Sequence, residues 1–159
     1  MSATFVVVLT FIASLGSGIM AGIFFIFSST IMTALARLPA GRGAAAMNSI
    51  NRVILNPLFL SLFMGTALLC VVLSGQAIIG WRQSGAAWLL AGSLFYLVGI
   101  VLVTMVFNVP LNNALAAVGP ETAEGATLWR RYLAEWVPWN HVRSVSGIVS
   151  LACFIMALR

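Results

Sequence analysis

Residues 1–36 read MSATFVVVLTFIASLGSGIMAGIFFIFSSTIMTALA and contain no ionisable side chain. About 20 apolar residues are enough to cross the hydrocarbon core of a bilayer, so this stretch predicts a membrane-spanning helix. A cleaved signal peptide would be shorter and would begin with basic residues, which residues 1–4 lack. We therefore expect residues 3–36 to stay in the protein as its first span.

The composition extends this interpretation to the whole chain of 159 residues. Hydrophobic residues make up 62% of the sequence and charged residues 7%, and the mean hydropathy is +1.09. Soluble proteins carry about 25% charged residues, so the chain is predicted to be an integral membrane protein. We expect an all-α fold in one membrane domain over residues 1–159. It would be a four-helix bundle with spans over roughly 3–36, 57–79, 85–108 and 138–158, and a short interfacial helix over roughly 120–136 between spans three and four.

Small residues recur at four-residue spacing within each predicted span. They are Ser14/Gly18/Gly22, Ser61/Gly65, Ala87/Ala91 and Ser146/Ser150. Such spacing allows close helix packing where lipid provides no hydrophobic drive for association. Packing within one bundle is the favoured interpretation, and a homo-oligomer is the alternative. Cys70 and Cys153 lie in apolar runs without a metal or disulfide motif, which favours a packing role for both.

The arginines indicate an orientation in the membrane. Most lie in or beside the two long connections, namely Arg37, Arg42, Arg52, Arg130, Arg131 and Arg143, whereas Arg82 and Arg159 fall on the opposite side. The positive-inside rule then predicts cytoplasmic connections and external termini, in the inner (cytoplasmic) membrane of a bacterium. The net charge of +5 comes from arginines scattered at membrane borders, so no nucleic-acid partner is predicted.

Polar side chains gather at the predicted cytoplasmic border. Asn48, Asn51 and Arg52 precede the second span, and Asn56 continues the four-residue steps from Asn48 and Arg52 as one stripe of a helix. Amides and a guanidinium are poorly suited to a lipid-facing surface. Any single asparagine is explained by helix capping or by helix-to-helix hydrogen bonding. Together they predict a polar mouth of a binding site.

Two later segments contribute to the same border. Asn108 and Asn112 flank Pro110 at the end of the third span and can project the same way. Tyr132 and Trp136 share one face of the predicted interfacial helix. An aromatic belt along the lipid headgroups is the simplest explanation of that face, and a ring-stacking surface for a ligand is the alternative.

The stretch WVPWNHVR, residues 136–143, holds the only histidine of the chain. A helix that opens at Pro138 would place His141 in its first turn, where the positive helix end favours a neutral imidazole. His141 is therefore a candidate base, which Glu135 could orient. Arg143 and Arg52 are candidate stabilisers of an anionic intermediate.

Four segments together resemble a known family. They are GIMAGIFFIFS at 18–28, AMNSINR at 46–52, NVPLNN at 108–113 and WNHVR at 139–143. As a set they are similar to the anthrone oxygenase-like family of small four-helix membrane proteins. The resemblance spans nearly the whole chain, and some members of that family convert anthrones into anthraquinones.

The resemblance implies a membrane-embedded oxygenase or oxidoreductase that acts on a flat aromatic or polyketide-like substrate without a cofactor. In that hypothesis His141 removes a proton from a hydrophobic aromatic small molecule. The enolate oxygen would be held by the other predicted catalytic residues, Arg52, Arg143, Asn108 and Asn112. Substrate contacts are predicted for Phe24, Phe25, Asn48, Asn51, Tyr132, Trp136, Trp139 and Asn140.

Two other functions stay open from the sequence. His141 could ligate a haem or a metal ion as a single axial ligand, although the chain has no second histidine. The protein could alternatively be a small transport or accessory subunit without chemistry of its own. Transport is disfavoured because every ionisable group lies near a predicted span boundary.

Overall fold

The computed structural model describes residues 2–159, which form five helices and no strand: α1 (Ala3–Ala36), α2 (Ala40–Val53), α3 (Pro57–Ile79), α4 (Ala86–Ala117) and α5 (Ala123–Ala157). All except α2 are long and apolar enough to cross a membrane. The predicted all-α membrane bundle of four spanning helices is therefore confirmed.

The four spanning helices close into a bundle. Helix α1 packs most extensively on α5, α5 packs on α4, α4 on α3, and α3 returns to α1. Helix α2 lies against α5 at one end of this bundle. Large apolar side chains such as Phe11, Leu68 and Val98 point outward, as expected for a surface solvated by lipid instead of water.

An asparagine cap separates α2 from α3. The Asn56 side-chain oxygen accepts a hydrogen bond from the backbone N–H of Phe59 at 3.0 Å, and Pro57 occupies the first position of α3. Helix α2 has already ended at Val53. The prediction that Asn56 continues the polar stripe of α2 is therefore wrong, because this side chain starts the next helix.

Helix α5 differs in one respect from the expectation of an interfacial helix over 120–136 followed by a separate span. It runs without a break for 35 residues, with Pro138 inside it. A proline removes one backbone hydrogen bond and usually kinks or breaks a helix. Here Trp136 and Asn140, on either side of the proline, are buried on one continuous face, and packing of that face holds the helix together.

Two of the spanning helices contain widened π-helical turns. One lies in α1 at Phe27–Ile31, and α4 has two, at Leu97–Leu102 and Thr104–Asn108. The last of these ends two residues before Pro110, which cannot donate to the carbonyl of Val106, and the wider turn accommodates that missing bond. Helix α4 thereby continues past the predicted end of the third span, at 108, to Ala117. Such turns occur frequently at functional sites.

Small residues bring the helices together inside the bundle. The hydroxyls of Ser17 and Ser150 lie 3.1 Å apart between α1 and α5, and Ser150 also donates to the carbonyl of Gly92 on α4 at 2.8 Å. Gly22, from the predicted small-residue stripe of α1, instead faces outward. Gly18, from the same stripe, lies against Leu151 of α5, so only part of the predicted stripe faces the interior.

Gly147 provides a test of this packing. A Cβ atom added there would lie 2.8 Å from the Cβ of Ala21 on α1, whereas one added at Gly22 would meet nothing within 4 Å. We expect Gly147→Ala to be destabilising, because overpacking costs about 1–3 kcal/mol and exceeds the gain of about 1 kcal/mol in helix propensity. The matched control Gly22→Ala gains the propensity without the clash. Unfolding midpoints in detergent measure both, and equal midpoints would contradict the packing described.

Candidate functional site

A recess with a volume of about 300 Å³ opens between α2 and the end of the bundle. This volume lies at the small end of the range of roughly 300–1,000 Å³ that is common for small-molecule sites. We call it the polar recess. It is lined by Ile23, Phe24, Phe27, Met47, Asn48, Ile50, Asn51, Arg52, Ile54, Leu55, Phe59, Thr104, Val109, Asn112, Asn113, Ala116, Trp136, Asn140 and Arg143.

Arg143 is the central group of the polar recess and is only 6% exposed. Its Nη2 donates to the side-chain oxygen of Asn140 at 2.6 Å, and its Nη1 donates to the hydroxyl of Thr104 at 3.3 Å. The guanidinium carbon lies 4.3 Å from the centre of the Phe24 ring and 5.1 Å from that of Trp136. The cation is thus held between two aromatic faces and fixed in orientation by two hydrogen bonds.

Asn140 links Arg143 to the π-helical turn of α1. It is fully buried, and its amide nitrogen donates to the carbonyl of Phe24 at 2.7 Å and to the hydroxyl of Ser28 at 2.6 Å. With both N–H groups bound to α1, only its side-chain oxygen remains to accept from Arg143. The position of the guanidinium is therefore determined by three spanning helices: α1 and α5 through Asn140, and α4 through Thr104.

The charge of Arg143 has no carboxylate partner. The only acids of the chain are Glu121, Glu124 and Glu135, and all three are exposed. Within residues 2–159 the single ion pair joins Glu135 to Arg131. Burial of a cation without a counter-ion is unfavourable, and amides, a hydroxyl and ring faces compensate only part of that cost. The polar recess is therefore electrostatically prepared for an anion.

Amides form another part of the lining. Asn48 and Asn51 come from α2, and Asn112 comes from α4. The amide nitrogen of Asn48 donates to the carbonyl of Leu115 at 3.2 Å, and the hydroxyl of Tyr132 donates to the side-chain oxygen of Asn112 at 2.7 Å. These bonds join α2, α4 and α5 around the polar recess.

Eight of the residues predicted for the site from the sequence line the polar recess: Phe24, Asn48, Asn51, Arg52, Asn112, Trp136, Asn140 and Arg143. Two more predicted residues are not part of the lining but contact Trp136, which is. Asn108 donates to the carbonyl of Trp136 at 3.3 Å, and the Tyr132 ring stacks on the Trp136 ring with their centres 5.6 Å apart.

The other three predicted residues lie outside the polar recess. Phe25 is 58% exposed on the outer face of α1. Trp139 stacks on Phe107, with ring centres 3.6 Å apart, and does not contribute to the lining. His141 is exposed and does not contribute to the lining.

The position of His141 follows from the continuity of α5. This helix begins at Ala123, so His141 lies in its middle and not in a first turn where the helix dipole could act on it. Successive residues of a helix are separated by 100°, which points His141 and Arg143 about 200° apart. A haem or metal ion bound to His141 would likewise lie away from the polar recess. Among residues 2–159, no group of three or more potential metal ligands occurs.

Sequence reasoning missed several contributors, among them Ser28, Thr104 and Phe27. Ser28 and Thr104 hold Asn140 and Arg143, and Phe27 adds a ring to the wall. Thr104 carries no signal in an apolar run. Had α5 been predicted as continuous, the spacing of Trp136, Asn140 and Arg143 would have predicted one buried polar face.

Comparison with known proteins identifies the family. A family model described as Anthrone oxygenase matches residues 59–153, more than half of the chain. No match was found among curated proteins or among solved structures. The matched region contains the parts of the polar recess contributed by α4 and α5, including Arg143 and Asn140. The chain thus belongs to the anthrone oxygenase family.

Proposed function

We propose that the polar recess binds a flat, acidic aromatic ketone of the anthrone class as its enolate and promotes the reaction of that enolate with dioxygen. The observation that carries this proposal is the buried guanidinium of Arg143, which lies between two aromatic rings and has no carboxylate partner. An oxyanion attached to a flat ring system complements both features. The apolar side chains of the lining would contact the ring system of the substrate, while the cation would hold its charge.

The chemistry needs little from the protein. Loss of a proton from the methylene group of an anthrone places negative charge on the carbonyl oxygen, and Arg143 would stabilise that charge. The electron-rich enolate passes one electron to dioxygen, and the two radicals combine into a carbon-bound peroxide anion. Uptake of one proton from water, which replaces the proton lost in the first step, gives the hydroperoxide. Loss of water then gives the anthraquinone. One anthrone and one dioxygen thus become one anthraquinone and one water, with one oxygen atom in each product.

The described lining of the polar recess supports a role for Arg143 in the deprotonation step. That lining includes no histidine, aspartate or glutamate. A cation fixed beside the enolate oxygen lowers the free energy of the anion, so water can accept the proton without a dedicated basic side chain. The surrounding apolar side chains strengthen this electrostatic effect by lowering the local dielectric constant.

The experiment is a measurement of dioxygen uptake by purified protein in phosphatidylcholine nanodiscs supplied with an anthrone. We expect uptake well above that of protein-free nanodiscs, with one dioxygen consumed for each anthraquinone formed. With ¹⁸O₂, one labelled atom should enter the quinone and the other should enter water. Uptake no faster than the spontaneous oxidation in empty nanodiscs would contradict the proposed function.

His141→Ala tests whether the histidine is needed as a base. Because this side chain is exposed and points away from the polar recess, we expect the variant to keep dioxygen uptake within about threefold of the wild type. The measurement is the same uptake assay on protein whose unfolding midpoint is unchanged. A loss of about tenfold or more in the folded variant would assign the base to His141 after all.

A further inference from the structure

We infer that Asn48 determines substrate specificity: its side-chain oxygen accepts a hydrogen bond from a free hydroxyl group on the aromatic ligand whose enolate Arg143 holds. The inference rests on the proposed function, because it assigns a second contact to the same ligand. A hydroxyl group and its methyl ether would thus be distinguished by a residue of α2 that does not hold the enolate oxygen.

The first observation is a concentration of polar atoms without partners. Within residues 2–159, six buried side-chain nitrogen or oxygen atoms have no hydrogen-bond partner. Four of them belong to side chains that line the polar recess: Asn48 Oδ1, Asn51 Nδ2, Trp136 Nε1 and Arg143 Nε. Buried polar atoms are nearly always paired in proteins, so this concentration indicates that a ligand supplies the missing partners.

The second observation is the kind of partner that each atom requires. The free atoms of Asn51, Trp136 and Arg143 are N–H donors, which need acceptor oxygens on the ligand. The free oxygen of Asn48 is an acceptor and needs a hydrogen atom. A complementary ligand therefore combines acceptor oxygens, one of them anionic, with at least one O–H group.

The third observation is that Asn48 cannot reverse its amide. Its nitrogen donates to the backbone carbonyl of Leu115 at 3.2 Å. A carbonyl only accepts hydrogen bonds, so rotation of the amide would bring two oxygens together and lose the bond between α2 and α4. The Asn48 oxygen consequently stays available as an acceptor. A methyl ether at that point would leave it unpaired and would also need space for the methyl group.

The ligand pair for the test is a dihydroxyanthraquinone with one ionised phenol and its monomethyl ether at the neutral phenol. Binding to the protein in phosphatidylcholine nanodiscs is followed by quenching of tryptophan fluorescence. We expect the ether to bind about 10- to 100-fold more weakly to the wild type. Equal affinities would overturn the inference without any variant, and would mean that water satisfies the Asn48 oxygen.

Two variants then assign the preference to the residue. Asn48→Ala and Asn48→Leu should reduce the difference between the two ligands to about twofold or less. Gln76→Leu, which removes an amide from α3 at the other end of the bundle, should keep the full difference. Folded Asn48 variants that still prefer the hydroxyl ligand would refute the assignment.

Arg143→Ala distinguishes a failure of the proposed anion site from a failure of the inference about Asn48. If it weakens both ligands while the Asn48 variants keep the preference, the anion site stands and the inference about Asn48 fails. If Arg143→Ala binds both ligands as the wild type does, the anion site itself is refuted, and the Asn48 assignment loses its basis.

Discussion

Arg143→Ala is expected to lower kcat/KM for dioxygen uptake by roughly 10²–10³-fold, the usual effect of removing a group that stabilises an oxyanion. The physical reason is the lost cation: without it, the enolate would have to form in a recess of rings and neutral amides. The fold should survive, because the substitution removes a buried charge that has no counter-ion and leaves no charged partner behind. The uptake assay in nanodiscs measures the effect.

Arg52→Ala is the matched control for this prediction. Arg52 also lines the polar recess but is exposed, so solvent screens its charge and its loss should cost about tenfold or less. Arg143→Lys should fall between the two, since an ammonium keeps the charge but lacks the planar fork that reaches Asn140 and Thr104 together. If folded Arg143→Ala protein keeps its activity within about threefold, the anion site lies elsewhere.

The bundle could be predicted from the sequence because lipid imposes simple rules. Charge-free runs of sufficient length have to be spans, and the observed bounds of α1 and α3 agree with the predicted 3–36 and 57–79. The gathering of amides and arginines at one end of the bundle could also be predicted. Asn48, Asn112 and Arg143 come from three helices, yet each was recognisable as a polar group that lipid would not accommodate.

The direction in which α5 presents its side chains could not be predicted, and this decided which residues reach the site. Proline is favoured at the start of a helix and usually breaks a helix interior, so local preference at Pro138 predicts a helix start, although packing can hold a helix together through a proline. Only the burial of Trp136 and Asn140 on one face distinguishes the two cases. The chemically attractive His141 consequently points outward, and Arg143 takes the central position.

The π-helical turns were equally beyond sequence reasoning. The turn at Phe27–Ile31 begins three residues after Phe24 and contains Ser28. The amide of Asn140 donates to the carbonyl of Phe24 and to the hydroxyl of Ser28. The turn at Thr104–Asn108 supplies the hydroxyl of Thr104, which accepts a hydrogen bond from Arg143. Such turns result from tertiary packing, and at Thr104–Asn108 also from the nearby Pro110, and apolar flanking residues give no local signal for them.

Asn140→Asp should strongly weaken binding of the anionic ligand. The new carboxylate would occupy nearly the same volume and lie next to the Arg143 Nη2, which is 2.6 Å from the asparagine oxygen. A charge-assisted pair would form inside the protein and compete with the ligand for the same guanidinium. We expect the affinity for an ionised hydroxyanthraquinone, measured by fluorescence quenching, to fall by roughly 100-fold or more.

Asn140→Ala distinguishes neutralisation of the cation from the loss of hydrogen bonds. Both substitutions remove the donors to the Phe24 carbonyl and the Ser28 hydroxyl, but only aspartate introduces a negative charge. The alanine variant leaves Arg143 less well positioned and still cationic, so it should lose only about tenfold in affinity. If the two variants lose affinity equally, Asn140 acts only by positioning. If the aspartate variant binds the anion as tightly as the wild type, the charge of Arg143 is not what the ligand contacts.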